Sequence, residues 1–222
     1  MADEFKYEST HYPQLNQMTL PELMANFRAE HLDEEGDEDW WQYDDTALLI
    51  RKLDESAGID FLLQMFNSTQ SIAKKRAILS TLTSRPMLDT PEIFDLLIKS
   101  LDDQEDVVVM DAIDGLENLK KFDLLDRVMA FRNHPSPYVR GGVFRYISEL
   151  FPVQAIPVLI EGIRDPHPIP RGVAADMMSE LKLNEIELRQ FLPYLQSLRN
   201  DEDEGVRETA RISMAIIEGT EW

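Results

Sequence analysis

The chain has 222 residues, 42 of them Asp or Glu and 22 Lys or Arg, for a net charge of −20. That balance argues against a nucleic-acid backbone or an anionic membrane leaflet as partner, since both require a basic surface. The absence of cysteine removes disulfides, thiolate metal sites and thiol nucleophiles. The start, Met1-Ala2-Asp3-Glu4, lacks the basic and apolar regions of a secretory leader, and no apolar run approaches the ~18 residues of a membrane span, so the expected location is cytoplasmic.

The acidity is uneven. Residues 1–57 carry a net −11 and residues 58–222 a net −9, which suggests an acidic N-terminal capping segment (1–57) followed by a second domain (58–222). Residues 1–18 read as extended or loosely ordered. Thr19-Leu20-Pro21-Glu22 is a helix start: Thr19 can cap, Glu22 stands three residues on, and Pro21 is tolerated in the first turn. The helix is expected to run to about His31 with Leu20, Leu23, Met24 and Phe27 on one face. Asp33 to Asp45 then combines acids with Trp40, Trp41 and Tyr43, uninterrupted by lysine or arginine. One reading is a solvated loop whose aromatics tuck onto the core. The other is a binding segment, because Trp and Tyr give contact area at little conformational cost and carboxylates steer a basic partner. Asp45 is the expected cap of a second helix, through Ala47 and Leu53 to about Glu55.

From Gly58 onward the apolar spacing is helical, as in Ile93, Leu96, Leu97 and Leu101, or Ile156, Leu159, Ile160 and Ile163. Polar and proline-rich breaks punctuate it at Arg85-Pro86, Asn133 to Pro137, Phe151-Pro152 and Asp165 to Pro168. The breaks recur. Small residues Ala77, Ala112, Val143, Ala174 and Ala210 follow equivalent turns at intervals of 35, 31, 31 and 36, so the unit is helix, short polar turn, helix. Asp102, Asn133, Asp165 and Asn200 sit at the turns, where short polar side chains cap the next helix. Arg140, Arg171 and Arg207 are placed to pair with such groups in a neighbouring unit, giving a structural turn ladder. Gly141, Gly142 and Gly172 are expected at tight helix contacts, and Trp222 as a lid on the end of the stack.

In Val139-Arg140, Val206-Arg207 and Ile169-Pro170-Arg171 the sequence resembles the HEAT-repeat family, specifically its short form with a turn like Asp-x-x-x-x-Val-Arg-x-x-Ala. Val108-Val109 lacks the arginine, and Lys74 stands at the corresponding place in the first unit. The resemblance covers about 58–222. It implies an all-α fold, a right-handed α-solenoid of about five HEAT-like helical hairpins with an N-terminal helical cap.

No phosphate loop, nucleophile elbow or metal-ligand spacing accompanies the pattern. His134 and His167 fall in equivalent turns, where a turn-forming role outweighs a metal site. No cofactor, metal or catalytic residue is expected. The resemblance implies a non-catalytic protein-binding module, and the charge points to a basic protein partner; the most concrete version is an inhibitor or immunity protein covering a basic nuclease-type toxin. Alternatives are a bilin lyase-like protein using Arg140 and Arg171, an enzyme-maturation scaffold, and a helical-repeat nucleic-acid binder, which the charge disfavours. Two partner-binding surfaces are expected. One is Asp37, Glu38, Asp39, Trp40, Trp41, Tyr43, Asp44 and Asp45. The other is Asp103, Glu105, Asp106, Asp111, Asp114, Asp201, Glu202, Asp203 and Glu204. Like charge opposes self-association, so the free protein is expected to be a monomer.

Overall fold

A computed structural model describes residues 7–84 and 88–220. The fold is an all-α solenoid, and the chain divides into two compact units, residues 1–119 and 120–222. No helix among the described residues is long and apolar enough to cross a membrane. Arg85-Pro86 and Trp222 lie outside the described residues.

In the first unit, α1 (Leu20–Arg28) and α2 (Trp40–Leu53) precede two hairpins: α3 (Glu55–Ser68) with α4 (Ile72–Thr83), and α5 (Pro91–Ser100) with α6 (Asp106–Asn118). Thr19 starts α1 as expected, its backbone N–H and hydroxyl both donating to the Glu22 carboxylate at 2.7 Å. Leu23 and Phe27 form the buried stripe. The helix stops at Arg28, short of His31, because the Tyr43 hydroxyl donates to the Ala29 carbonyl and accepts from the His31 N–H. Residues 7–18 are not loose: Pro13–Gln17 is a 3-10 turn, Leu15 is buried, and Asn16 exchanges two hydrogen bonds with the Ser9 backbone.

The second helix also departs from expectation. It begins at Trp40 with Asp39 as its cap, accepting from the Gln42 N–H at 3.1 Å. Asp45 lies inside the helix and is buried, accepting from the Tyr7 and Ser9 hydroxyls. A carboxylate with two hydroxyl donors is satisfied in the interior and leaves no reason to break the helix there. Asp54 ends α2 and caps α3, accepting from the Ala57 N–H at 3.0 Å.

The second unit holds three hairpins. The first is α7 (Leu125–Met129), with a 3-10 turn to Asn133, and α8 (Pro137–Leu150). The second is α9 (Pro152–Gly162) with α10 (Pro168–Glu180). The third has a broken first arm, α11 (Glu185–Arg189) and α12 (Leu192–Ser197), followed by α13 (Glu204–Glu218). In each unit the second arms line up, α2 on α4 on α6 and α8 on α10 on α13. Their small residues Ala77, Ala112, Val143, Ala174 and Ala210 are all fully buried, where a larger side chain would hold the helices apart. Gly219, at φ 66°, ends α13 and lets the Thr220 N–H reach the Ala215 carbonyl at 3.0 Å.

The tight glycines are not all those the sequence suggested. An added Cβ at Gly172 would meet nothing nearer than 4.0 Å, and at Gly141 nothing nearer than 3.4 Å. The close approaches are at Gly162, 2.7 Å from the Phe144 ring, and Gly115, 2.6 Å from Leu97. Gly162 ends α9 and Gly115 lies inside α6, where the neighbouring side chain crosses the helix backbone itself.

Candidate functional site

The acidic segment is ordered. Leu32 and Glu38 form an antiparallel bridge, and Gly36 closes the turn at φ 89°, its N–H donating to the Asp33 carbonyl. One Asp33 carboxylate oxygen accepts from the Glu35 and Asp37 N–H groups at 2.9 and 3.0 Å. The side chains of Asp33, Glu34, Glu35 and Asp37 are therefore exposed on a fixed backbone. Beside the loop, Leu32 and Trp41 are exposed at 54% and 58%, the latter against the His11 ring.

The other members of the segment are used internally. Asp39 caps α2 and accepts from the Tyr12 hydroxyl at 2.5 Å. Burial, with that bond second, pushes the Tyr12 phenol up to about 12. Glu38 is exposed but accepts from the Ala73 N–H at the start of α4. Tyr43, expected at the surface, is a core residue packed on Phe27, with the Lys74 ammonium 5.0 Å from its ring centre. Lys74 itself donates to the Arg28 carbonyl at 3.0 Å, so it holds the end of α1 rather than a turn. Asp45 is likewise interior. Trp40 and Asp44 are half-buried and face α4: Arg76 sits 5.5 Å from the Trp40 ring centre and forks onto Asp111 at 2.7 and 3.4 Å. Burial pushes the Asp44 carboxyl up to about 6, against the opposing pull of a Ser80 hydrogen bond. Trp40, Arg76, Ser80, Asp111 and Asp114 border a cleft of about 260 Å³.

The acids of the second expected surface differ in exposure. Asp103 pairs with Lys75 at 2.7 Å, both side chains largely covered. Asp102, Glu105 and Asp106 are exposed at the same turn. In the second unit Asp203 caps α13 through the Val206 N–H, and Asp201 is taken up by Arg171. Glu202, which Arg171 also reaches at 3.4 Å, and Glu204 are exposed.

The turn arginines share one geometry. Arg140 forks onto Asp165 with both bonds at 2.7 Å, and its third nitrogen holds the His134 and Pro135 carbonyls of its own turn. Arg171 repeats this on Asp201 and on the Asp165 and Pro166 carbonyls. Arg207 holds the Asp201 and Glu202 carbonyls. Asn133 and Asn200 are exposed; the position matching Asp165, six before the arginine, is held by His134 and Asp201. Burial alone would raise the Asp165 carboxyl, but the Arg140 bonds prevail and hold it below its ordinary range.

Sequence reading missed Arg51. It is buried in α2 and donates to the Thr81 and Ser84 carbonyls at 2.7 and 3.2 Å, closing the C-terminal end of α4. An arginine two residues before the end of an amphipathic helix carries no mark of that role.

A family model described as HEAT repeats matches residues 124–215. No curated protein matches the chain. Among solved structures, YibA of Escherichia coli superposes with a TM-score of 0.65 at 20% identity, over 95% of this chain and 76% of that one. A designed armadillo repeat protein in complex with the peptide (KR)4 superposes with a TM-score of 0.55 at 15% identity, over 90% of this chain and all of that one. Another designed armadillo repeat protein gives 0.51 at 14% identity, again over 90% of this chain and all of that one. At these identities the likeness is one of fold.

Proposed function

We propose that this HEAT-repeat protein is a non-catalytic binding module for a basic protein segment, held on the acidic loop and Trp41 of the first unit. The observation that carries the reading is the fixed loop itself, with Asp33, Glu34, Glu35 and Asp37 exposed on a closed turn beside exposed Leu32 and Trp41. A preformed charged surface loses little entropy on binding and speeds encounter with a partner of opposite sign. The designed armadillo neighbour in complex with (KR)4 is an example of this class of fold taking a basic peptide.

Asp102, Glu105 and Asp106, at the N-terminal end of α6, extend the acidic surface within the same unit. Glu202 and Glu204 form a separate, weaker candidate in the second unit. The most specific form of the proposal is an inhibitor that covers a basic nuclease-type toxin, with carboxylates occupying the place of substrate phosphates.

Association with the (KR)4 peptide tests the general reading. Replacing Glu34, Glu35 and Asp37 together by lysine should slow association about tenfold or more at low salt, and the wild-type rate should fall as salt rises. Trp41→Ala should speed dissociation. An unchanged association rate in the triple variant overturns the assignment of the loop. For the inhibitor form, the tagged protein should retain a basic protein from source-cell extract in a salt-sensitive way and block its nuclease activity; recovery of only neutral or acidic proteins overturns it.

A further inference from the structure

Each filled rung of the arginine ladder has an inner and an outer half. Arg140 turns its Nε and Nη2 edge onto Asp165 of the following turn, both bonds at 2.7 Å, while Nη1 holds the carbonyls of its own turn. Arg171 does the same to Asp201 at 2.8 and 2.6 Å, and Glu202 beside it comes within 3.4 Å. Each receiving aspartate is set by its own turn. Asp165 accepts the His167 N–H at 2.8 Å, and Asp201 accepts the Asp203 N–H at 2.9 Å. His167 and Asp203 are the caps of α10 and α13. The fork therefore takes one kind of element, an aspartate two residues ahead of a helix cap.

Arg207 has the inner half of this arrangement without the outer. Its Nη1 donates to the Asp201 and Glu202 carbonyls at 2.8 and 3.1 Å. Its Nε and Nη2 have no partner among the described residues. A guanidinium is planar and rigid, so anchoring Nη1 on one side directs the Nε and Nη2 edge to the other.

Arg207 lines a cleft of about 450 Å³ with Arg199, Arg211, Glu204 and Glu208. Glu208 is committed to Arg211 at 2.9 and 2.7 Å. Arg199 is exposed and makes no hydrogen bond or ion pair among the described residues. Two guanidiniums without a carboxylate partner thus share the cleft with one uncommitted acid, Glu204. The chain as a whole is acidic, but exposed charges more than about 8 Å apart are largely screened at physiological ionic strength. Bulk charge therefore does not cancel a local excess of arginine.

We propose that the open fork of Arg207 binds an acidic turn of a partner protein, an aspartate two residues ahead of a helix start, with a neighbouring acid on Arg199. The occupant is read from the two filled forks, which hold that element within this same chain. Because Nη1 is anchored before binding, little side-chain freedom is lost. The site lies in the second unit and does not depend on the basic-partner surface of the first.

NMR of the arginine Nε–H groups tests the proposal. The probe is the peptide acetyl-Asn-Asp-Glu-Asp-Glu-Gly-amide, whose sequence, residues 200–205, fills the Arg171 fork. Titrated at constant ionic strength, it should shift the Arg207 and Arg199 signals saturably while Arg140 and Arg171 stay in place. The same peptide with its first aspartate replaced by asparagine should bind at least fivefold more weakly, because the charge-assisted fork is lost. Arg207→Lys keeps the charge and a donor for the turn carbonyls but lacks the fork, and should weaken the peptide about fivefold or more. Arg199→Gln removes an exposed side chain with no internal partner, so thermal stability should hold while affinity falls. Shifts that rise linearly, or that sodium acetate reproduces at the same concentration, overturn the site. Equal binding of the asparagine peptide overturns the fork as the recognition element. Undiminished affinity in folded Arg207→Lys and Arg199→Gln overturns the residue assignment. Self-association that Arg207→Lys abolishes would make a second copy the occupant and overturn the choice of a different partner. Affinity for (KR)4 should be the same in both variants, so failure here leaves the first-unit reading untouched.

Discussion

Arg171 and Asp201 meet fork to fork, with bonds of 2.8 and 2.6 Å between side chains that are each only 8% exposed. The remaining nitrogen of the same guanidinium holds the Asp165 and Pro166 carbonyls. One side chain thereby fixes its own turn and the next. Bidentate geometry and these extra bonds offset the cost of desolvating the pair. Arg171→Ala leaves Asp201 covered and unpaired and should cost about 3–5 kcal/mol. Arg211→Ala breaks a pair more than half exposed on both sides and should cost far less, because solvent screens it. Urea unfolding of the two variants checks the contrast; equal costs would remove the ladder's claim to stability.

Acid should weaken the ladder. The Arg171 bonds hold the Asp201 carboxyl below its ordinary range, and the Arg140 bonds prevail over burial to do the same for Asp165. A folded-state pKa below the unfolded one adds stability that is fully present above about pH 4 and lost as pH falls through the folded value. Stability in wild type should drop below about pH 4, and Arg171→Ala should flatten that drop. A pH series of unfolding midpoints measures both.

Asp44 has the opposite sign. Burial pushes its carboxyl up to about 6, so the folded state resists ionisation and stability declines as pH rises from about 4 to about 6. Asp44→Asn removes the charge and keeps a polar group beside Ser80. It should stabilise by about 1–3 kcal/mol at pH 7.5 and have almost no effect at pH 3.5. A gain of the same size at both values would contradict this origin.

Two glycines should respond oppositely to alanine. At Gly172 the nearest atom to an added Cβ is 4.0 Å away, so Gly172→Ala should gain up to about 1 kcal/mol from helix propensity. At Gly162 the added carbon would lie 2.7 Å from the Phe144 ring and 3.0 Å from Ala174, and Gly162→Ala should cost about 1–3 kcal/mol. Thermal unfolding midpoints should move in opposite directions.

Arg51 distinguishes carbonyl capping from ion pairing. Its Nε lies 3.9 Å from Glu55, whose side chain is 54% exposed, whereas its Nη1 closes the end of α4. Arg51→Met strands the Thr81 and Ser84 carbonyls and should cost about 2–4 kcal/mol. Glu55→Ala should cost less than about 1 kcal/mol. Denaturant midpoints decide, and a larger loss at Glu55 would assign the stability to the pair.

Much of the architecture is written locally. The apolar stripes of α5 and α9 and the Thr19–Glu22 capping box depend on residues three or four apart. Partner choice is not local. Whether Asp165 or Asn133 receives an arginine depends on how one turn is aligned on the next, and Asn200 and Asp201 are indistinguishable by pattern until that alignment exists. The tight glycines were obscured for the same reason: Gly162 and Gly172 differ only in whether another helix's side chain crosses them.

The sequence by itself determined an all-α repeat with small residues where the second arms touch, because apolar periodicity and turn chemistry are carried by neighbours along the chain. The charge of −20 argues against classes of partner in the same way, as a sum needing no coordinates. Only the tertiary structure separated the acids that hold the fold from those that face solvent. Asp44 and Asp45 are adjacent, yet one faces α4 and Arg76 while the other is enclosed by Tyr7 and Ser9. Solvation and hydrogen bonding of a carboxylate are set by groups that arrive from distant parts of the chain, so the same residue type serves as a structural acceptor at one position and an exposed charge at another.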